Sequence, residues 1–264
     1  MYRGFQIKLD DDSDKYSECK TLLTKGKERY SKQKKDIKLV LENFILSNGK
    51  IDGSSLINNW FPKIHADIFI SHSHKDKNLA IAFAEWLFEE FGLITFVDSC
   101  IWGNSTELLL EIDKEFSDFD PNRNTYNYTK RNNSTSHVHM MLSTALSMMI
   151  DKVECVFFLN TPNSITTSDV ILKTESPWIY SELAMTQIIR KKTPDRLIEK
   201  TEYFSEEPLI EKLMVEYQLD LSHLHEIDVE TLELWENKST FLDASAALDY
   251  LYKLVPLQKK HLRS

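Results

Sequence analysis

Between residues 66 and 192, short apolar runs alternate with amphipathic stretches, and no other feature of the chain constrains its fold as much. Ala66-Asp-Ile-Phe-Ile-Ser71 is bounded by polar residues, and a run that short reads as a buried strand. Leu79, Ala82, Phe83, Trp86 and Leu87 then recur at helical spacing, with Asp76 near the start and Gly92 at the end. Leu93-Ile-Thr-Phe-Val-Asp98 is a second strand, followed by a helical pattern from Ser105 through Leu108, Leu109 and Ile112 to Phe116. Residues 118–136 are polar and rich in Asn and Tyr, which predicts a loop. His137–Ile150 is predicted as a helix, Val153–Leu159 as a third strand, 160–176 as a turn-rich loop and Trp178–Lys191 as a further helix. Strands separated by helices predict an α/β fold, a parallel sheet with crossover helices on both faces.

The flanks differ. Residues 15–48 are rich in Lys, Glu and Leu, and predict one or two helices ending near Asn48-Gly49. After Pro194 the pattern is mostly helical and acidic, with candidate helices around Leu209–Tyr217 and Ala246–Leu254. The expected organisation is a helical N-terminal extension over 1–64, a core domain over 65–192 and a helical C-terminal extension over 193–264. A net charge of −9 makes nucleic acid a poor partner, because phosphate neutralisation needs a basic surface. Cys19, Cys100 and Cys155 are odd in number and far apart, so a reducing cytoplasm is expected rather than a disulfide framework. The start of the chain lacks the apolar core of a secretory signal, and no apolar run is long enough to span a membrane.

In open α/β sheets, ligands sit beyond the carboxyl ends of the strands. Here those ends carry Ser71-His-Ser-His-Lys-Asp76, Asp98-Ser-Cys-Ile-Trp-Gly103 and Asn160-Thr-Pro-Asn163, which suit a sugar- or nucleotide-binding crevice. Two plainer readings stay open: Asp76 as a helix cap and Asp98 as a strand stop.

The segment Glu175-Ser-Pro-Trp-Ile-Tyr-Ser-Glu-Leu183 opens the last predicted helix. Ser176 suits the N-cap and Pro177 the first helical position. Helical spacing places Trp178, Glu182, Met185 and Ile189 on one stripe, with Ile179 and Leu183 beside it. Glu182 therefore falls in an apolar arc, where desolvation raises a carboxyl pKa unless a partner compensates. A Glu that escapes sideways, or pairs with a distant Arg, fits the same spacing.

Other chemistries find little support. The pairs His72/His74, His137/His139 and His223/His225 lack the Cys or carboxylate frame of a zinc site, so no metal is expected. The chain has only six glycines and neither a phosphate-cradling Gly-rich loop nor a Gly-x-Ser-x-Gly elbow.

Two of these stretches carry a resemblance. Asp67-Ile-Phe-Ile-Ser-His-Ser-His-Lys-Asp76 resembles the first box of Toll/interleukin-1 receptor (TIR) domains, and Trp178-x-x-x-Glu182 resembles the Trp-x-x-x-Glu motif of the enzymatic TIR domains. The resemblance covers residues 65–192, about half the chain, and Val153–Leu159 supplies the expected strand between the motifs. It implies a flavodoxin-like sheet and an enzyme that cleaves the nicotinamide–ribose bond of NAD+ as substrate, with no separate cofactor. Glu182 would be the catalytic carboxylate and Trp178 an aromatic wall. Ser71, His72 and Ser73, with Asp76 at the box's end, would line the first-strand loop. Asp98, Trp102 and Asn160 are added from their strand-end positions alone. Departures are the long 118–136 loop, the lack of an obvious final strand after Lys192, and the extensions at both ends.

A large acidic chain of this kind is similar to the bacterial anti-phage sensors of the Thoeris type. The implied product is an ADP-ribose-derived messenger, a cyclic isomer or a conjugate, read by a separate effector protein after a phage-derived trigger. The implied assembly is TIR self-association. Two alternatives stay open: a non-catalytic TIR scaffold and a hydrolase that simply depletes NAD+.

Overall fold

A computed structural model describes residues 1–8, 20–33, 41–102, 105–168, 171–174, 176–197, 217–218 and 221–257. In chain order the elements are β1 (Arg3–Lys8), α1 (Lys20–Gln33), α2 (Gly53–Trp60), β2 (Ile68–Ser71), α3 (Lys77–Phe91), β3 (Thr95–Phe96), α4 (Asp98–Ile101) and α5 (Ser105–Phe116). There follow β4 (Phe119–Asp120), β5 (Thr125–Tyr126), α6 (Tyr128–Lys152), β6 (Cys155–Asn160), β7 (Thr166–Ser168), β8 (Ile171–Thr174) and α7 (Pro177–Ile188). The chain closes with β9 (Tyr217–Gln218), β10 (His225–Ile227), α8 (Val229–Ser239) and α9 (Ala244–Leu254). Two compact units emerge: Met1–Glu28, His65–Val97 and Ile150–Ser264 form the first, and Arg29–Ile64 with Asp98–Met149 the second.

The first unit is built on a five-stranded sheet of order β10-β1-β6-β2-β3 in which every neighbouring pair is parallel. This is the expected α/β, flavodoxin-like class. Counted from β2, the strands β3-β2-β6 follow the 2-1-3 order of flavodoxin-like sheets. The next two places are filled from the chain's flanks, by β1 and by β10. Residues 1–64, expected to be helical, thus contribute an internal strand. After Lys192 the sheet gains an edge strand, β10, far along the chain and only three residues long. β1 escapes sequence reading because Arg3-Gly-Phe-Gln-Ile-Lys8 mixes charge into a strand that the sheet buries on both sides.

Both sheet faces are covered, as parallel strands require. On one face Phe157 meets Phe5 edge to face with centroids 5.5 Å apart, and Phe83 and Trp235 lie 6.3 Å from Phe157. Trp235 of α8 is fully buried, stacks on Phe91 at 4.0 Å and donates its indole N–H to Ala247 O at 2.8 Å. On the other face Phe158 packs with Ile165, Ile179, Leu183, Leu221 and Leu224. Gly92 ends α3 at φ +67°, the left-handed conformation that glycine adopts without steric penalty, and donates its N–H to Phe88 O.

At the amino end of the sheet, Arg3 donates to Tyr252 O in the last turn of α9 and to Val255 O just beyond it. The Tyr252 hydroxyl donates to Glu154 at 2.7 Å, so its oxygen is left to accept from the Cys155 thiol at 2.8 Å. Arg196 forks onto Glu154 and reaches Asp249. Burial pushes the Cys155 thiol up to about 12, so it stays a protonated packing group. Burial, with Arg3 and then Lys191 nearby, pulls the His225 imidazole down to about 4.

In the second unit, Leu56, Phe61, Trp102, Leu108 and Val138 are buried. The stretch 118–136 is not the loop its polarity suggests: β4 and β5 form a hairpin, and α6 begins at Tyr128. Polar bonds replace an apolar stripe over that first part of α6. Asp113, 1% exposed, accepts from Ser117 at 2.8 Å and pairs with Arg131 at 3.3 Å, and Ser134 meets Ser117 at 3.1 Å. In the C-terminal region α9 matches the predicted 246–254 helix. Residues 209–216 of the other predicted helix lie outside the described residues, and Tyr217 begins β9. Among the described residues no helix is long and apolar enough to cross a membrane.

Removing the Trp235 side chain by Trp235→Ala is expected to lower the unfolding free energy by about 3–5 kcal/mol, read from urea denaturation. His225 gives a pH signature. Folded His225 titrates at about 4 and its ordinary value is 6.5, so the unfolded chain binds the proton more readily. Stability is therefore full above the ordinary value and falls as pH drops through the window toward 4. The urea midpoint is expected to fall between pH 7.5 and pH 5 (on the order of one His titration), and His225→Gln to flatten that fall.

Candidate functional site

The chain leaves β2 for β3 on one side and later returns to place β6 on the other. The strand order reverses between β2 and β6, and a crevice opens beyond the carboxyl ends of strands at such a point. Ser71, the last residue of β2, is in register with Phe158, and β6 ends two residues later at Asn160.

α7 covers the Phe158 face. Its start follows the sequence reading: the Ser176 side chain accepts from Ile179 N at 3.3 Å and Pro177 occupies the first turn. Its inward arc differs from the predicted stripe. Ile179, Leu183 and Thr186 are buried together with Glu182, whereas Trp178, Met185 and Ile189 are only half-buried. The cluster around Phe158, Leu221 and Leu224 draws in the Ile179/Leu183 line, which rotates the predicted centre of the helix face. Glu182 is 4% exposed, so it lies deeper than Trp178, the aromatic wall of the sequence reading.

A carboxylate at that depth needs donors. Ser71, 1% exposed, supplies one: its hydroxyl donates to Glu182 Oε2 at 2.5 Å. A short O–H···O⁻ bond of this kind is strong and fixes the carboxylate's orientation. It joins the two motifs singled out in the sequence, 111 positions apart.

The rest of the first-strand loop is ordered by its own bonds. His72, at the limit of burial, sets Nδ1 3.3 Å from Ile70 O. Ser73 caps the short turn His74–Asp76, its hydroxyl accepting from Lys75 N. Asp76 stands at the start of α3 but makes no side-chain cap bond. Its buried carboxylate accepts instead from Thr161 Oγ1 and Asn163 Nδ2, each at 2.6 Å. Asn160 is half-buried and donates to Gln6 Oε1 on β1 at 3.4 Å.

Asp98 and Trp102 belong to the second unit. Trp102 has the surroundings of a core residue: it is 4% exposed, its indole N–H donates to Pro62 O at 3.1 Å, and Phe61 packs on it edge to face at 5.2 Å. Its backbone N–H closes α4 on Asp98 O. Ser71, Glu182, His72, Ser73, Asp76 and Asn160, by contrast, gather around the ends of β2 and β6. Thr161, Asn163 and Ser164 join them. The first two fall in the strand-end stretch Asn160-Thr-Pro-Asn163, whose spacing gives no sign of their pairing with Asp76.

Of the histidine pairs, His223 packs against α7. His223 Nε2 lies 2.7 Å from Thr186 Oγ1, whose proton goes to Leu183 O, and Gln187 Nε2 lies 3.3 Å from Nδ1. Among the described residues no three His, Cys, Asp or Glu side chains are grouped to hold a metal ion.

Ser71→Ala leaves the buried Glu182 carboxylate without this donor. It is expected to cost about 1.5–3 kcal/mol of stability, measured by urea denaturation at neutral pH. No family model, curated protein or solved structure matches the chain.

Proposed function

We propose that this protein is a TIR-type enzyme that cleaves the nicotinamide–ribose bond of NAD+, with Glu182 as its catalytic carboxylate. The single observation that carries the reading is the Ser71–Glu182 hydrogen bond at 2.5 Å, which joins the TIR-like first box to the Trp-x-x-x-Glu glutamate at the sheet's switch point.

The chemistry follows from the bond to be broken. Loss of nicotinamide leaves positive charge shared between the anomeric carbon and the ring oxygen, as in glycoside hydrolysis. A carboxylate aimed at the ribose stabilises that charge as it develops, and a fixed, desolvated carboxylate does so without reorganising. Ser71 contributes to the fixing, its hydroxyl donating to Oε2. Trp178, one turn earlier and half-buried, offers an aromatic surface to a nicotinamide or ribose. The departing electron pair goes to the nicotinamide nitrogen, and a nucleophile bonds to the anomeric carbon. Water yields ADP-ribose, a hydroxyl or nitrogen of the same molecule yields a cyclic isomer, and an added small nucleophile yields a conjugate.

The cyclic or conjugated product is our reading. It serves as a cytoplasmic messenger in anti-phage defence, read by a separate effector, with catalysis raised by self-association after a phage-derived trigger. The test is nicotinamide release from NAD+ by purified protein, alone and with lysate from phage-infected cells. Product masses are measured in parallel. Glu182→Gln is expected to lower release by about a hundredfold or more. Full release by Glu182→Gln, or none by activated wild type, sinks the proposal.

A further inference from the structure

Asp76 carries two of the shortest side-chain hydrogen bonds at the carboxyl end of the sheet, and the chemistry proposed above uses neither. Thr161 Oγ1 and Asn163 Nδ2 both donate to it at 2.6 Å, from positions 85 and 87 residues further along the chain. Thr161 is itself held. Its N–H donates to Ser164 Oγ at 2.9 Å, and the Ser164 hydroxyl lies 2.9 Å from both Leu159 O and Thr161 O. Backbone bonds from Ser164 N and Ile165 N to Thr161 O close the same turn. Asp76, Thr161 and Ser164 are buried at 8%, 7% and 3% exposure.

The loop from Ser71 to Asp76 is thus pinned at both ends by carboxylate hydrogen bonds of the same kind. Ser71 donates to Glu182 on α7 at one end. At the other, Asp76 accepts from the turn that follows β6. Such bonds are stronger than neutral ones and specify geometry. A helix cap would have satisfied Asp76 locally, yet its side chain makes no cap bond and is spent across the switch point.

Resting on the NAD+ reading above, we propose that Asp76 is a positioning residue. It clamps the turn Thr161–Ser164 to the first-strand loop and so fixes the two loops beside the Ser71–Glu182 pair. Asp76 does not touch the reacting atoms. It sets how well the substrate is held, and leaves the pH dependence that Glu182 imposes on bond cleavage unchanged.

Three variants test this. Asp76→Leu removes both acceptors. Asp76→Asn keeps an oxygen for Asn163 and turns an N–H toward the rotatable Thr161 hydroxyl. Thr161→Val removes one bond only, and serves if Asp76→Leu fails to fold. Each is assayed for NAD+ dissociation constant, for the pH profile of nicotinamide release, and for amide hydrogen exchange over residues 71–76 and 161–165. Asp76→Leu is expected to weaken NAD+ binding about tenfold or more and to speed exchange in both segments, with the pH profile unmoved. Thr161→Val is expected to fall between Asp76→Leu and wild type, and Asp76→Asn within about threefold of wild type. Wild-type affinity in Asp76→Leu overturns the positioning role, even where exchange accelerates, and so does a shifted pH profile. Wild-type protein that neither binds nor cleaves NAD+ overturns the functional reading instead, and the exchange data still report whether the clamp holds the two loops.

Discussion

A carboxylate sunk to 4% exposure beside an apolar helix face is tolerable only where a donor reaches it, and the Ser71 hydroxyl reaches Glu182. That bond requires β2 to end in register with Phe158 and α7 to lie over the Phe158 face. It requires α7 to roll so that Ile179, Leu183 and Thr186 turn inward. The same placement of strand and helix that fills the core therefore aims the one acidic side chain of that arc at the carboxyl end of the sheet. Stability and candidate chemistry share their geometry here, so a change at Ser71 bears on both.

The sheet is assembled from distant parts of the chain. The stretch from β2 to β6 supplies three adjacent strands, but β1 and β10 complete the row from either flank. An aromatic stack running from Phe5 through Phe157 to Trp235 and Phe91 holds these contributions together on one face. The hydrogen bonds of Arg3, Cys155, Tyr252, Glu154 and Arg196 lock α9 over the amino end. The two ends of the sheet thus differ in kind. The amino end joins the flanks through a polar network, whereas the carboxyl end holds two buried carboxylates, Asp76 in the loop after β2 and Glu182 on α7.

Local pattern was legible where a few residues settle the matter. Ser176-Pro177 starts α7 as their capping and φ preferences require, Gly92 ends α3, and the apolar runs at 68–71 and 155–160 form strands. It failed where stabilisation comes from remote partners. Residues 128–136 are helical although they lack an apolar stripe, because Asp113, Asp118 and Ser117 from an earlier segment hold Arg131, Lys130 and Ser134. Trp178 and Glu182 share a stripe by spacing, but the neighbours offered by β6 and by Leu221 and Leu224 decide which side of that stripe sinks.

The α/β class and the capped start of α7 follow from the order of residues, since they rest on periodicity and on conformational preferences spanning a turn or two, whereas Ser71 and Glu182 are singled out by a motif resemblance that periodicity alone does not supply. The filling of the sheet by β1 and β10, the meeting of Ser71 with Glu182, and the attachment of Asp76 to Thr161 and Asn163 arise from pairings across 85 or more positions. Asp76 makes the distinction concrete. Its place before a helix allows a cap, and a cap is what short-range preference favours, but a turn brought alongside by parallel strand pairing offers two stronger donors at 2.6 Å, and the carboxylate takes those.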